Sequence, residues 1–560
     1  MSSRAVGIVS PSLRYLRGRA GIGSLPPGMD DLAIRGGLVV DGTGAPGREA
    51  DVFVREERIV AIEREGGRPA RRTIDARGHV VAPGFIDIHT HSDFTLPLNP
   101  RAEGKIRQGV TTEVVGNCGF SVAPALPGTS ALLGDYLGAS APGLPFQDAT
   151  FAEYLDRFPP VSVNTIMQVG HNTLRLMTVG MERRAATSEE LERMSRLLAE
   201  SLEAGALGLS SGLFTAPGSF AGPDEILALA RVLARYGATY ASHVRDEANH
   251  GFEAVREAIA VAEATGIHVQ IAHLKLSGTD NWGRAGSLLR EIEAARGRGL
   301  KIDCDQYPYD TATNPLRNLL PGWAQEGGVS AMLERLAHPA IRERIRHDLA
   351  RDGLNNFGRI PSWDVVRLAG SPSHPADAGL DFGALARRRG IDPLDAVCDV
   401  IVADRGHTRI LIRSMAEADV DEIARAPWVL VGSDGNSLAP YGVTGQGKPH
   451  PRYYGTFARV LGHCVRDRGL LTLPQAVRKM TGGSAAALGL ADRGELRPGA
   501  WADVTVFDPD TVASLATYDE PHQYAAGIST VIVNGTVVID GGDHTGALPG
   551  RVLRFPRRAA

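Results

Sequence analysis

The stretch Val80-Val81-Ala82-Pro83-Gly84-Phe85-Ile86-Asp87-Ile88-His89-Thr90-His91 decides how this chain is read. From Val80 to Ile88 it is apolar and rich in β-branched residues, which reads as a buried strand. Side chains alternate along a strand, so His89 and His91 leave its end on the same side. Two imidazoles placed that way can grip one divalent metal. By itself the pair equally suits two hydrogen-bonded core histidines, so the rest of the chain has to decide.

Working outward, strand-like segments recur and amphipathic helical patterns separate them. Strands are expected at 80–88, 110–117, 161–169, 206–211, 238–243, 267–273, 300–306 and 428–433. Among the intervening segments, Ser188–Ala204 opens on a Thr187-x-x-Glu190 capping box. This alternation predicts an α/β fold, a (β/α)8 TIM-type barrel. One crossover is abnormal: about 120 residues separate the last two strands, far beyond an ordinary connection. That stretch carries helical patterns of its own at Val329–Asp352 and Phe382–Val402. A lid or subdomain inserted at about 310–427, on the working face of the barrel, is expected.

Both chain ends read differently. Leu32-Ala33-Ile34-Arg35, Leu38-Val39-Val40-Asp41, Asp51-Val52-Phe53-Val54 and Arg58-Ile59-Val60-Ala61-Ile62 alternate between Gly and Asp turns. The pattern returns at Ala502–Asp508 and at Thr530–Ile539, the latter broken by an Asn534-Gly535 hairpin turn. One small β-domain assembled from 30–79 and 485–550 is predicted, with the barrel at 80–484. Residues 1–29 hold four arginines and no acidic residue and end in Leu25-Pro26-Pro27-Gly28. They are expected to be a disordered arm, with Met29 as the true start.

Composition narrows the function classes. The chain has 560 residues, 43% hydrophobic and 22% charged, with a formal net charge of −4. No basic stripe suggests nucleic acid, and no apolar run is long enough to span a bilayer. The 4 cysteines, Cys118, Cys304, Cys398 and Cys464, form no CxxC pair, which points to a reducing, cytoplasmic setting.

In a barrel the working residues sit at the C-terminal ends of the strands. His89 and His91 end strand one, Cys118 strand two, His243 strand five, His273 strand six and Asp434 strand eight. Six side chains able to bind a metal therefore converge on one rim, each at its own strand end. His250, His171 and His450 are less well placed: a helix cap, a residue beside strand three and a loop residue. Asp87 and Asp93 are expected to orient the paired histidines.

With these residues in view, the chain resembles the amidohydrolase superfamily, and more closely its N-acyl-D-amino-acid deacylase (D-aminoacylase) branch. The shared motifs are GFIDIHTHSD (84–93), GNCGFS (116–121), SHVRDE (242–247), AHLK (272–275), DQYPYD (305–310), GSDG (432–435) and HPRYYGTF (450–457). The resemblance spans about residues 31–545 and implies a barrel with a small β-sandwich and zinc at the barrel mouth. Many relatives bridge two metals through a carboxylated lysine of strand four. Here the only lysine between His91 and His243 is Lys105, in the first helical pattern, so Cys118 is the natural replacement. The resemblance assigns one tight zinc to Cys118, His243 and His273. A second, weaker position falls to His89, His91 and Asp434. Asp434 would then serve as general base toward the attacking water and as acid toward the leaving amine. The implied reaction is zinc-dependent hydrolysis of N-acyl-D-amino acids to a carboxylate and a free D-amino acid.

A substrate carboxylate needs partners, and Lys275, Tyr307, Arg452 and Arg245 lie beside the motifs. Lys275 would reach the substrate carboxylate or the developing oxyanion, Tyr307 could donate to the same oxygen, and Arg452 offers a planar fork. Arg245, with Asp246 or Glu247, could instead orient the ligands. Two rivals remain: another amidohydrolase chemistry, on cyclic amides or by deamination, and a binding homologue that has lost its metal.

Overall fold

A computed structural model describes residues 29–64, 67–555 and 557–559. The arm expected over 1–29 lies outside the described residues except for Met29.

Barrel strands one to eight are Phe85–Asp87, Val110–Val115, Asn164–Met167 continued by Val169–Gly170, Gly208–Gly212, Thr239–His243, Val269–Ile271, Ile302–Gln306 and Val429–Val431. Neighbours pair in parallel throughout. Strand three carries the ladder across, pairing with strand two through Asn164–Met167 and with strand four through Val169–Gly170. The ring closes at Thr90 and Gly435. There the Asp434 N–H donates to His89 O and the His91 N–H to Gly435 O, each at 2.9 Å. The seam that closes the barrel thus carries the residues singled out by sequence. Nearly every strand residue is buried, as a barrel covered by helices requires.

The helices begin and end where local chemistry dictates. Ser188–Ala204 has its capping box, with the Glu190 N–H donating to Thr187 Oγ1 and the Thr187 N–H donating to Glu190 Oε2. It stops at Gly205, whose φ of 116° suits glycine. Its buried stripe, Met194, Leu198 and Leu202, recurs every four residues and faces the barrel core.

The single strand expected over 80–88 is in fact two. Val80–Pro83 pairs with Val504–Phe507 and with Leu38–Val39, while Phe85–Asp87 opens the barrel. The chain changes sheets at Pro83-Gly84, where proline brings no N–H to the ladder. A Cβ on Gly84 would stand 2.3 Å from Thr111 Cγ2, so only glycine passes.

Val80–Pro83 is the central link of a 9-stranded sheet drawn from both chain ends. The order is Asp543–His544, Thr536–Asp540, Ile528–Val533, Val504–Phe507, Val80–Pro83, Asp30–Val39, Arg48–Arg55 and Arg58–Glu63, with Ala70–Asp75 parallel to Asp30–Val39. Ile34, Val52, Val54, Val81, Val504 and Ile532 form one of its cores. Asn534 and Gly535 turn at φ 49° and 76°, the left-handed pair a tight hairpin requires. Residues 485–488 end the helix Gly482–Leu488, whose Ala485 and Leu488 pack with Leu430 and Ile86 of the barrel.

The long crossover holds a 3-stranded antiparallel sheet in the order Thr311–Pro315, Arg409–Arg413, Val366–Gly370. Its two expected helical stretches each divide at a proline: Gly328–Leu336 from Pro339–Asp352, and Phe382–Arg389 from Pro393–Ala403. Phe357, Phe382, Leu385, Val397, Ile401 and Ile412 belong to a hydrophobic core distinct from that of the barrel. No helix among the described residues is long and apolar enough to cross a membrane.

Candidate metal centre and active site

Cys118 Sγ sits at the focus of the rim, 3.3 Å from His89 Nε2 and 3.3 Å from His273 Nε2. The ligand atoms of Cys118, His243 and His273 lie within 4.8 Å of one another, as do those of His89, His91, Cys118 and Asp434. Cys118 belongs to both groups. A zinc bonded to sulfur at about 2.3 Å and nitrogen at about 2.0 Å holds tetrahedral S and N neighbours about 3.5 Å apart, so the spacing fits such an ion.

Backbone strain concentrates on the same residues. Cys118, His273 and Asp434 have φ of 53°, 33° and 47°, left-handed values that cost a side-chain-bearing residue on the order of 1–3 kcal/mol. The turns around Cys118 are correspondingly tight. A Cβ on Gly116 would come within 2.3 Å of Gln168 O, and one on Gly119 within 2.1 Å of Asn172 Oδ1.

Carboxylates behind the histidines fix their rings. His89 Nδ1 meets Asp305 Oδ1 at 3.0 Å, and Asp305 also accepts from Gln270 Nε2 at 2.6 Å and the His273 N–H at 2.9 Å. His273 Nδ1 meets Glu247 Oε1 at 2.9 Å, leaving Nε2 for Cys118 or a cation. Glu247 Oε2 lies 3.5 Å from His243 Nε2 and accepts from Asn356 Nδ2 at 2.9 Å. The His243 ring stacks on Phe214 with centroids 4.1 Å apart. Burial opposes ionisation of Cys118, yet His89, His273 and His243 hold its thiol well below the usual range.

Asp434 Oδ1 is 3.1 Å from His91 Nε2, and Asp434 Oδ2 accepts from Arg452 Nη2 at 2.9 Å. Burial would raise its pKa, but Arg452 and the surrounding histidines hold the carboxyl well below the normal carboxylate range. Arg452 opens the helix Arg452–Arg459 and lies 4.4 Å over the Tyr307 ring. Its N–H donates to His450 Nδ1 at 3.0 Å, and His450 Nε2 donates to Thr311 O at 2.9 Å, which sets a neutral tautomer. Arg452 Nε and Nη1 and Tyr307 Oη are buried donors with no protein partner. Asp434, Arg452, His91 and Cys118 all line one open cavity.

Several expected roles move. Arg245 does not line this cavity; its guanidinium makes two bonds to Glu257, at 2.9 and 2.8 Å. Lys275 does not line the cavity either: Nζ donates to Glu247 Oε1 at 2.6 Å and lies 2.6 Å from His273 Nδ1. Strand six ends at Ile271, so Lys275 does not continue the alternation that would have aimed it at substrate. Asp87 orients no histidine ring; it accepts from Lys105 Nζ at 2.7 Å and the Ser433 N–H at 2.8 Å, tying strand one to strand eight. Burial pushes Asp93 up to about 7, and its Oδ1 has no partner. His171 pairs with Glu225 at 2.8 Å, and His250 precedes the helix Gly251–Thr265 without a capping bond.

Sequence reasoning missed Asp305, and it named Glu247 only as an alternative. Both carried a signal, a carboxylate in or beside a strand otherwise expected to be buried. Asn356 comes from the long crossover and carried none.

A profile of the amidohydrolase family matches residues 72–539. The N-acyl-D-glutamate deacylase of Alcaligenes xylosoxydans xylosoxydans is 39% identical, with 94% of this chain and 96% of the relative covered. The D-aminoacylase of the same organism is 38% identical, with 93% and 97% covered. Among solved structures, a D-aminoacylase described as defining a novel subset of amidohydrolases matches with a TM-score of 0.79 at 37% identity, covering 94% of this chain and all (100%) of that one. An N-acyl-D-glutamate deacylase from Bordetella bronchiseptica, complexed with zinc and a phosphonate mimic of the tetrahedral intermediate, matches with a TM-score of 0.78 at 38% identity, with 94% and 100% covered. The motifs around Cys118, His243, His273 and Asp434 therefore stand in a chain that belongs to the amidohydrolase family.

Proposed function

We propose that this protein is a zinc-dependent deacylase that hydrolyses the amide bond of N-acyl-D-amino acids. The observation that carries the reading is the meeting of Cys118, His243 and His273 within 4.8 Å, beside Asp434 and an arginine with unused donors. We assign the tight zinc to Cys118, His243 and His273, and a weaker position to His89, His91 and Asp434, with Cys118 common to both groups. The D-aminoacylase described as having a binuclear centre, activated by one metal and attenuated by a second, supports this division. Preference for D-amino acids is supported by the deacylases this chain is similar to.

When bound, the ion polarises the amide carbonyl and brings the pKa of water from ~15.7 toward about 7. This chain's own residues do the rest. Asp434, ionised and adjacent to the ligand cluster, takes the proton of the attacking water and returns it to the departing nitrogen. Arg452 Nε and Nη1, with Tyr307 Oη, hold the substrate's α-carboxylate and fix the scissile bond over the rim. Glu247 and Asp305 keep the imidazole nitrogens turned toward the centre.

We also read the sheet of both chain ends as a small domain of β-sandwich type, spanning about 30–79 and 485–550, and the crossover at about 310–427 as a subdomain that shapes the substrate cavity. Thr313, Asn314 and Arg409 of that crossover line the cavity, which supports the second assignment. The 4 cysteines are free and buried, which supports a reducing, cytoplasmic setting.

The test is turnover of paired N-acetyl-D- and N-acetyl-L-amino acids by the zinc-loaded protein and by Asp434→Asn. D-selective amino-acid release, lost by a factor on the order of 100 or more in the variant, is expected. L-selective release, or equal turnover by the variant, overturns the reading.

A further inference from the structure

Of the three residues assigned to the tight zinc, Cys118 has the least support from its own strand. His243 closes strand five inside the ladder, opposite Gly212, and the His273 N–H donates to Asp305 Oδ1 at 2.9 Å. Cys118 lies past Val115, where strand two ends, in a turn closed by the Phe120 N–H on Asn117 O at 2.9 Å. Cys118 and Gly119 occupy its centre with φ of 53° and 79°. A turn of this hand needs left-handed backbone at both positions, which favours Asn-Gly, and a cysteine side chain does nothing to stabilise it. Support has to come from outside the turn.

Strand four supplies that support. Ser210 is 0% exposed, and the ladder fixes it on both sides, opposite Gly170 and opposite Ala241. Its hydroxyl accepts the Gly119 N–H at 3.0 Å and donates to Gly116 O at 2.5 Å. One side chain thus joins the backbone before and after Cys118 to a strand paired along both edges. Two residues further along that strand, a Cβ on Gly212 would stand 2.1 Å from Cys118 O, so the turn rests directly against strand four.

We propose that Ser210 is a positioning residue for Cys118, its hydroxyl holding the left-handed turn that aims the sulfur at the zinc position. The inference rests on the reading of Cys118 as a zinc ligand and adds the group that keeps this ligand in place. Without the hydroxyl, the Gly119 N–H and Gly116 O lose their partner in a buried setting, and the turn is free to relax out of the left-handed region. Cys118 Sγ then leaves its place 3.3 Å from His89 Nε2 and His273 Nε2, and because it belongs to both ligand groups, both metal positions weaken. Thr173 offers a matched comparison. It is equally buried and makes the same pair of bonds just beyond the turn, accepting the Ser121 N–H at 3.1 Å and donating to Ser121 O at 2.9 Å.

The test compares the full chain with Cys118→Ser, Ser210→Ala, Ser210→Thr and Thr173→Val, reading zinc affinity by chelator competition and cobalt substitution by absorption. Cobalt bound by a thiolate gives a near-ultraviolet charge-transfer band, which the parent should show and Cys118→Ser should lose. Ser210→Ala should bind zinc about ten- to a hundredfold more weakly than the parent and lose part of the band even at saturating cobalt. Ser210→Thr keeps the hydroxyl and should recover most of the affinity, whereas Thr173→Val should stay within about threefold of the parent. Metal-free Ser210→Ala and Thr173→Val should both unfold at lower urea than the parent, so that affinity and not stability separates them. Unchanged affinity and band in Ser210→Ala, an equal loss in Thr173→Val, a Ser210→Thr no tighter than Ser210→Ala, or failure of Ser210→Ala to fold while Thr173→Val folds overturns the inference. A parent without the band would instead refute the assignment of Cys118 to the metal, and the inference with it.

Discussion

Replacing Lys105 with methionine should destabilise the protein from directly beneath the ligand cluster. The Lys105 ammonium and the Asp87 carboxylate are 0% exposed and 2.7 Å apart, and Lys105 also donates to Ser433 Oγ. Asp87 Oδ1 accepts the Ser433 N–H at 2.8 Å and, more weakly, the His89 N–H at 3.4 Å. Removing the ammonium leaves a buried carboxylate with neutral donors only, and breaking one side of such a pair costs about 3–5 kcal/mol. The two N–H donors offset part of this, so about 3 kcal/mol is expected. Asp87→Asn on that background removes the uncompensated charge while keeping an acceptor for Ser433, and should recover more than half of the loss. Urea unfolding of the two variants and the parent, compared by midpoint at constant slope, reads both effects. A loss below about 1 kcal/mol, or a double variant no more stable than the single one, would refute the argument that this pair anchors strands one and eight.

Two further predictions follow from the neighbouring groups. Glu247→Gln should weaken zinc binding by about ten- to a hundredfold, measured by competition with a chelator, because His273 and His243 lose the carboxylate that orients them. Burial without an anion brings the Lys479 ammonium down from 10.5 to about 7, with donation to Ala426 O and Val429 O as its contacts. Between pH 7 and the unfolded lysine's value the unfolded chain binds more protons than the folded one, so this group's contribution to stability rises with pH across that window. Lys479→Met should flatten that rise in chemical unfolding at pH 7 and 9, and an unchanged slope would place the group's titration elsewhere.

How much of this was legible in sequence depended on whether a residue's position follows from a local period. His89, His91, Cys118, His243, His273 and Asp434 each end an apolar run, so the barrel rule alone brought them to one rim. The expectation for Lys275 rested on alternation carried past Ile271, where strand six stops, and its contacts with Glu247 and His273 follow from no such period. The Val80–Ile88 run looked like one strand since both of its halves are buried, though in two different sheets. The sheet of the crossover was illegible for another reason: Thr311 pairs with Arg413 and Pro315 with Arg409, about a hundred residues away, with no hairpin turn to announce it. Arg409 therefore reached the cavity through a pairing that no local pattern encodes.

The central claim is that Cys118, His243 and His273 hold one zinc ion, and anomalous diffraction at the zinc edge from crystals of the metal-loaded protein tests it most directly. The account predicts a strong peak about 2.3 Å from Cys118 Sγ and about 2.0 Å from a nitrogen of His243 and of His273. The absence of a peak there, or a peak bound by His89, His91 and Asp434 without those three residues, would contradict it.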